Sequence, residues 1–107
     1  MLNYIRFGDL FTVPMDINQI KLIESKKKTC EARLNNGIWA HVRPDVKVVF
    51  RDIINKRSVL VVITNTELHD NISSISQDTA AKINMDLSSL SESSNILVAD
   101  FALFEEY

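Results

Sequence analysis

The chain has 107 residues, a formal net charge of −2 at pH 7 and 46% hydrophobic residues. That length suits one domain, residues 1–107, which can bury a core without disulfide staples. The single cysteine excludes an intramolecular disulfide framework. No apolar run approaches the roughly 20 residues that span a bilayer, and no signal-peptide pattern opens the chain. These features predict an intracellular protein, cytoplasmic or nuclear, without a membrane partner.

Charge and motif content narrow the functional classes. Residues 21–57 carry ten Lys and Arg against four Asp and Glu, whereas residues 58–107 carry one base against eight acids. The chain can therefore present a positive face to a polyanion, unless folding interleaves the two halves into solvated rims. The sequence has no Gly-rich phosphate loop, and His41 and His69 lack the spacing of metal ligands. We expect no cofactor and no metal.

The first part of the chain predicts a strand and then a helix. Residues 2–7 alternate weakly and favour an opening strand. Asp16 is typical of a helix N-cap, because Gln19 follows three residues later and an apolar stripe comes next. Lys26–Lys28 fall at the end of this helix, where cations meet the negative helix terminus. The lysine run therefore has a structural explanation besides any functional one.

Residues 29–34 change to a period of two, which predicts a strand with two different faces. The core-like face carries Cys30, Ala32 and Leu34. The polar face, which we expect to be open, carries Thr29, Glu31 and Arg33. This face is the first candidate for a ligand site.

The rest of the chain predicts four strands and a second helix. The expected strands are residues 38–42, 46–53, 59–64 and 95–107, with a hairpin connection at 55–57. Residues 59–64 are apolar on both faces, which is typical of a central strand. Helical spacing runs from Ile72 to Leu90, and Asn71 precedes it as a cap. The order β-α-β-β-β-β-α-β indicates an α+β domain in which mixed strands form a small curved sheet or barrel with two helices.

With these elements in place, the helix end and the strands that follow resemble the ASCH domain, a pseudo-barrel of the PUA-like superfamily. The family pattern is roughly I-x-x-G-x-K-T-x-E-x-R, then G-D, an apolar residue and a later Phe. The matching residues here are Ile23, Lys26, Lys28, Thr29, Glu31, Arg33, Asp45, Val46 and Phe50. The two family glycines are replaced, the first by Ser25 or Lys26 and the second by Pro44.

The ASCH resemblance implies a role with nucleic acid, most often RNA, or with a nucleotide-like ligand in a basic cleft. The candidate binding residues are Lys26, Lys27, Lys28, Thr29, Glu31, Arg33, Trp39 and Arg43. Lys28 and Arg33 would hold anionic or carbonyl oxygens, and Glu31 would orient the arginine or read a base. Trp39 would stack on a base, although a sole tryptophan also suits packing. The alternative for the charged residues is a solvated helix end beside a surface ion pair.

One ASCH branch hydrolyses N4-acetylcytidine with a lysine, a threonine nucleophile and a glutamate proton donor. Lys28 matches the lysine, but the other two positions fall at Glu31 and Ile83. Isoleucine cannot move a proton, so this activity does not carry over by resemblance. A small hydrolase acting on a modified nucleoside, of the N4-acetylcytidine amidohydrolase type, or on RNA as a ribonuclease, remains an alternative in which Lys28 and Glu31 are the catalytic candidates. A second alternative is a protein-interaction module that uses the acidic C-terminal half.

Overall fold

The computed structural model describes residues 10–90 and 95–106, which contain five β-strands and two α-helices. In chain order these are β1 (Leu10–Pro14), α1 (Ile17–Glu24), β2 (Cys30–Leu34), β3 (Lys47–Asp52), β4 (Arg57–His69), α2 (Gln77–Ile83) and β5 (Ile96–Leu103). The strands form one sheet in the order β1-β3-β4-β5-β2. β1 and β3 are parallel and the other neighbours are antiparallel. This curled half-barrel confirms the predicted α+β fold of mixed strands.

The sheet is buried on both faces, and each face has its own apolar cluster. The larger cluster lies inside the curl and includes Leu97, Ala99 and Phe101 of β5 together with residues of α1. Ile96 and Val98 alternate with these and join the second cluster, which α2 covers. β4 is the central strand of the sheet, as its two apolar faces predicted.

β2 carries its core-like residues where the sequence placed them. Cys30 and Ala32 are buried in the second cluster. Burial raises the pKa of the Cys30 thiol well above its usual range, and the nearby Asp100 adds to the effect. The thiolate is therefore scarce at neutral pH, which makes Cys30 an inert core residue.

The opposite face of residues 29–34 is open at Thr29 and half-buried at Arg33, but the prediction was wrong for Glu31. Glu31 is only 3% exposed. The reason is that both faces of the strand are covered at this point. Its polar face lies against the inside of the curled sheet, where the Arg33 guanidinium packs over the rings of Trp39 and Phe50. Leu34, which was expected to point inward, is 38% exposed at the end of the strand.

α1 begins and ends as the sequence indicated. Asp16 is its N-cap and accepts hydrogen bonds from the N–H groups of Asn18 and Gln19. At the other end Lys26 adopts φ 66°, the left-handed conformation that follows many helices. Lys26, and not Ser25, therefore occupies the place of the first family glycine.

Two segments differ from the predicted strands. Residues 38–42 were expected to form a strand, but Gly37–His41 forms a 3-10 helix. Gly37 turns the chain with φ 56°, and the Trp39 indole N–H donates to the Leu97 carbonyl at 2.9 Å. The predicted strand at 2–7 lies outside the described residues. β1 was not anticipated, because its pairing with β3 is a long-range contact that leaves no local pattern.

The expected helix from Ile72 to Leu90 is three short helical pieces. These are the 3-10 helix Ile72–Ser74, α2 and the 3-10 helix Ser88–Leu90. Ser76 starts α2 by accepting from the Thr79 N–H, and Asn84 ends it in the left-handed conformation with φ 53°. Ile75, Ile83 and Leu90 are nevertheless buried together, so the apolar spacing was informative even though the helix is interrupted.

Candidate functional site

A cleft of about 550 Å³ opens between β1, the start of α1, β2 and the 3-10 helix at Gly37–His41. Its walls are mainly apolar and include Pro14, Met15, Leu34, Ile38, Trp39, Met85 and Leu90. Its polar lining includes Thr12, Asp16, Gln19, Glu31, Arg33, Asn36 and Ser89. Concave apolar sites of roughly 300–1,000 Å³ with a few placed polar groups are typical small-ligand sites.

Three charged side chains of the Lys28–Arg33 segment form a continuous ionic chain behind and within this cleft. Lys28 Nζ lies 2.8 Å from Glu31 Oε1, and Arg33 Nε donates to Glu31 Oε2 at 2.6 Å. The side chains of Lys28 and Glu31 are 0% and 4% exposed, whereas that of Arg33 is 29% exposed. The carboxylate is therefore held between two cations, and the arginine is the most exposed of the three side chains.

Lys28 is anchored to the end of α2. Its ammonium donates to the Ile83 carbonyl as well as contacting Glu31. Beside it the Thr29 N–H donates to the Lys82 carbonyl at 3.0 Å, and the Asn84 amide donates to the Lys27 carbonyl at 2.8 Å. A cation at the carbonyl end of a helix is favourable because it meets the negative helix terminus. The lysine-rich turn thus fastens α2 to the start of β2.

Arg33 is the best-held side chain in the cleft. Its Nη2 donates to the Pro14 carbonyl at 2.6 Å, and its guanidinium carbon lies 5.7 Å from the Trp39 ring centre and 5.9 Å from that of Phe50. These cation–π contacts and the bond to Glu31 fix the plane of the guanidinium. Two of its five N–H groups are used, which leaves three without an acceptor among the described residues.

Gln19 is a cleft residue that the sequence did not identify. Its amide nitrogen donates to the Asn84 carbonyl at 3.4 Å, and its Oε1 is buried without a hydrogen-bond partner in the described part of the chain. An unsatisfied buried acceptor costs about 1–3 kcal/mol, and a ligand N–H that reached this oxygen would remove that cost. In the sequence, Gln19 was explained by the helix cap, so no signal pointed to a cleft.

The predicted binding residues are distributed over two places. Glu31, Arg33 and Trp39 line the cleft. Lys26, Lys28 and Thr29 line a separate cavity of about 140 Å³, and Lys27 is exposed at the same helix end. Arg43 is exposed and lines neither cavity. The charged lining of the cleft is therefore one base with two acids, Asp16 and Glu31.

The positions that correspond to the acetylcytidine-hydrolysing branch do converge, although their chemistry is different. Lys28 contacts both the Glu31 carboxylate and the Ile83 carbonyl. The Ile83 side chain is fully buried in the second apolar cluster. The lysine of that pattern is thus neutralised by an ion pair and a helix end. The nucleophile position holds the Glu31 carboxylate instead of a hydroxyl, and the proton-donor position holds an isoleucine.

The remaining titratable candidates form no second centre. His69 Nδ1 lies 2.9 Å from Ser74 Oγ, and His69 Nε2 lies 3.3 Å from Glu67 Oε1. Within residues 10–90 and 95–106, no group of three His, Cys, Asp or Glu side chains could hold a metal ion. None of the described helices combines the length and apolar character needed to cross a membrane.

Known structures define the class of this fold. An ASCH domain from Lactobacillus crispatus is 12% identical with a TM-score of 0.66, and the match covers 88% of this chain and 79% of that one. An ASCH protein from Zymomonas mobilis is also 12% identical with a TM-score of 0.66, and the match covers 87% of this chain and 66% of that one. A protein from Enterococcus faecalis is 11% identical with a TM-score of 0.66, and the match covers 96% of this chain and 90% of that one.

The chain therefore has an ASCH-like fold. No family model and no curated protein matches its sequence.

Proposed function

We propose that this ASCH-like module binds RNA, or a nucleotide-like ligand, by taking one base into the 550 Å³ cleft. The observation that carries the proposal is Arg33, which is anchored on three sides, 29% exposed and still has unused N–H groups in that cleft. A guanidinium in a fixed plane donates well to a carbonyl or phosphate oxygen, because little side-chain freedom is lost on binding.

The lining favours a base over a phosphate inside the cleft. Asp16 and Glu31 balance Arg33 and the buried Lys28 behind it, so the cleft has no excess of positive charge, and most of its wall is apolar. The phosphates of a bound strand would then lie outside, where Lys26, Lys27 and Arg43 are exposed at the surface. The proposal therefore separates base recognition in the cleft from phosphate contacts on the surface.

Glu31 serves in this proposal to position Arg33. One carboxylate oxygen accepts from Arg33 and the other faces the Lys28 ammonium. Since neither oxygen points to the ligand space, a direct bond to a base is the weaker of the two roles that the resemblance implies. Glu31 acts through the arginine and is a positioning residue.

Arg33→Lys tests the proposal, because it keeps the charge and removes the planar fork. We expect the affinity for a short unstructured RNA to fall about tenfold, which corresponds to about 1.4 kcal/mol. Arg57→Lys is the matched control, since Arg57 makes two bonds to Glu24 at the surface, away from the cleft. Equal RNA affinity in the two variants would contradict the proposed role of Arg33. In the same samples, release of acyl groups from acylated cytidines, abolished by Glu31→Gln, would instead indicate a hydrolase.

A further inference from the structure

The turn between β3 and β4, residues 53–56, carries the two most exposed large hydrophobic side chains among the described residues. Ile53 is 72% exposed and Ile54 is 90% exposed. Single exposed aliphatic residues are common and need no explanation. Here two of them are adjacent at the end of a hairpin, and the turn that carries them, residues 53–56, is called the hairpin tip. Its exposed apolar surface suits insertion into a partner.

The hairpin tip is held in one conformation. The Asp52 carboxylate accepts from the backbone N–H and from the side-chain amide of Asn55, each at 3.0 Å. Lys56 then adopts φ 55°, which returns the chain into β4. The turn is therefore formed before any partner arrives, and little conformational entropy remains to be lost on binding.

The hairpin tip stands next to the cleft. Arg51, just before it, is the register partner of Pro14, and the Met15 N–H donates to the Arg51 carbonyl at 2.9 Å. Pro14 and Met15 both line the cleft. The hairpin therefore starts directly beside a strand that lines the cleft.

The net charge around the hairpin tip is positive. Arg51 and Lys56 are exposed and have no acidic partner among the described residues. The Asp52 carboxylate keeps its negative charge while it accepts from the neutral Asn55 donors, and Arg57 is paired with Glu24. The hairpin therefore has one positive charge in excess. An anionic partner is complementary to this arrangement.

We propose that the hairpin tip extends the RNA site: Ile53 and Ile54 pack against the base next to the one in the cleft, while Arg51 and Lys56 contact its flanking phosphates. Aliphatic side chains do insert against bases in this way in nucleic-acid complexes. The proposal rests on the proposed function, since it assumes that RNA occupies the cleft. The pairing of β3 with β1, which lines the cleft, favours RNA over an anionic membrane, for which two isoleucines make a short anchor.

The first test separates the hairpin tip from the cleft by ligand length. The variant Ile53→Ser/Ile54→Ser should bind a ten-nucleotide unstructured RNA about tenfold more weakly, because it loses the apolar contact with one base. Its affinity for a single nucleotide should not change, because one nucleotide fills only the cleft. Leu68→Ser is the matched control: Leu68 is 58% exposed on β4, opposite Leu97. It should change neither affinity.

The second test concerns the cations. Arg51→Gln and Lys56→Asn should each reduce the slope of log affinity against log salt by about one. Asparagine is chosen at position 56 because it tolerates the left-handed conformation that Lys56 adopts. The single-nucleotide affinity again serves as the internal reference.

The outcomes distinguish the two proposals. Unchanged oligonucleotide affinity in the double isoleucine variant, with Arg33→Lys still weakened, overturns the hairpin-tip proposal alone. Failure of the unmodified protein to bind RNA or nucleotides overturns the proposed function. Binding of the unmodified protein to phosphatidylserine vesicles, lost in the double isoleucine variant while RNA affinity stays the same, assigns the hairpin tip to a membrane and also overturns this proposal.

Discussion

Glu31 links a buried lysine to an arginine that lines the cleft. On one side it holds the buried Lys28, and on the other it orients Arg33, which reaches the cleft. The identity of these residues as a linked set was predictable from their spacing and from the ASCH resemblance. Their burial was not, because a charged residue in a period-two pattern indicates a solvent face unless an ion pair compensates it.

Glu31→Gln should destabilise the protein by about 3 kcal/mol, because it leaves the Lys28 ammonium buried with its charge uncompensated. Glu24→Gln is the control: its pair with Arg57 is a third exposed at Glu24 and half exposed at Arg57, so the loss should stay below about 1 kcal/mol. Urea unfolding of the three proteins measures both values. Similar losses in the two variants would mean that the ionic chain is no more than a surface pair.

At the scale of elements, the turn after α1 explains one departure from the ASCH pattern. The Lys27 N–H donates to the Leu22 carbonyl at 2.9 Å and the Lys26 N–H to the Ile23 carbonyl at 3.0 Å. This is the Schellman arrangement, in which the position of Lys26 is usually glycine. The helix end was predictable from its lysines. The position of the left-handed residue was not, because two adjacent residues fitted the replaced glycine equally well.

Lys26→Gly should therefore stabilise the protein by about 1 kcal/mol, since glycine adopts the left-handed conformation without the steric cost that a side chain brings. The control is Lys27→Gly at the next residue, whose φ is not in that region. This control should be neutral or destabilising, because it only adds freedom to the unfolded chain. Thermal unfolding of both variants measures the difference, and a Lys26→Gly protein that melts below the unmodified one would refute the explanation.

The hairpin after β3 predicts a particular acid response. The backbone N–H of Asn55, and then its side-chain amide, lower the pKa of Asp52 in the folded protein. The stabilisation is therefore present above the unfolded pKa of about 4 and is lost as the pH falls through the lower folded pKa.

Asp52→Asn should accordingly lose less stability than the unmodified protein when the pH is lowered from 6 to 2.5. Denaturant unfolding at the two pH values gives this difference for each protein. Asp70→Asn, which replaces an exposed carboxylate in the turn after β4, provides the control and should follow the unmodified protein. An Asp52→Asn protein that is as acid-sensitive as the unmodified one would exclude the assigned bonds.

At the scale of the whole molecule, the fold class could be predicted and the cleft could not. The central strand β4, the flanking β3 and β5 and the capped helix α1 follow from local periodicity. The cleft depends on β1, on the 3-10 helix at Gly37–His41 and on the end of α2. None of these three has a local sequence pattern that shows where it lies in the fold. Trp39 is one such case, because the indole bond to Leu97 across 58 residues decides the conformation of its segment.

The central claim, that a base enters this cleft, can be measured directly through Trp39. It is the only tryptophan of the chain and it forms a wall of the cleft beside Arg33. Its fluorescence should change saturably on titration with nucleotides and short RNA, but not with ribose 5-phosphate at the same concentrations. Ile38→Asp, which puts a negative charge at a half-exposed position of the cleft lining, should weaken that response. A fluorescence that stays constant through the nucleotide and RNA titrations, or that responds equally to ribose 5-phosphate, would contradict the claim.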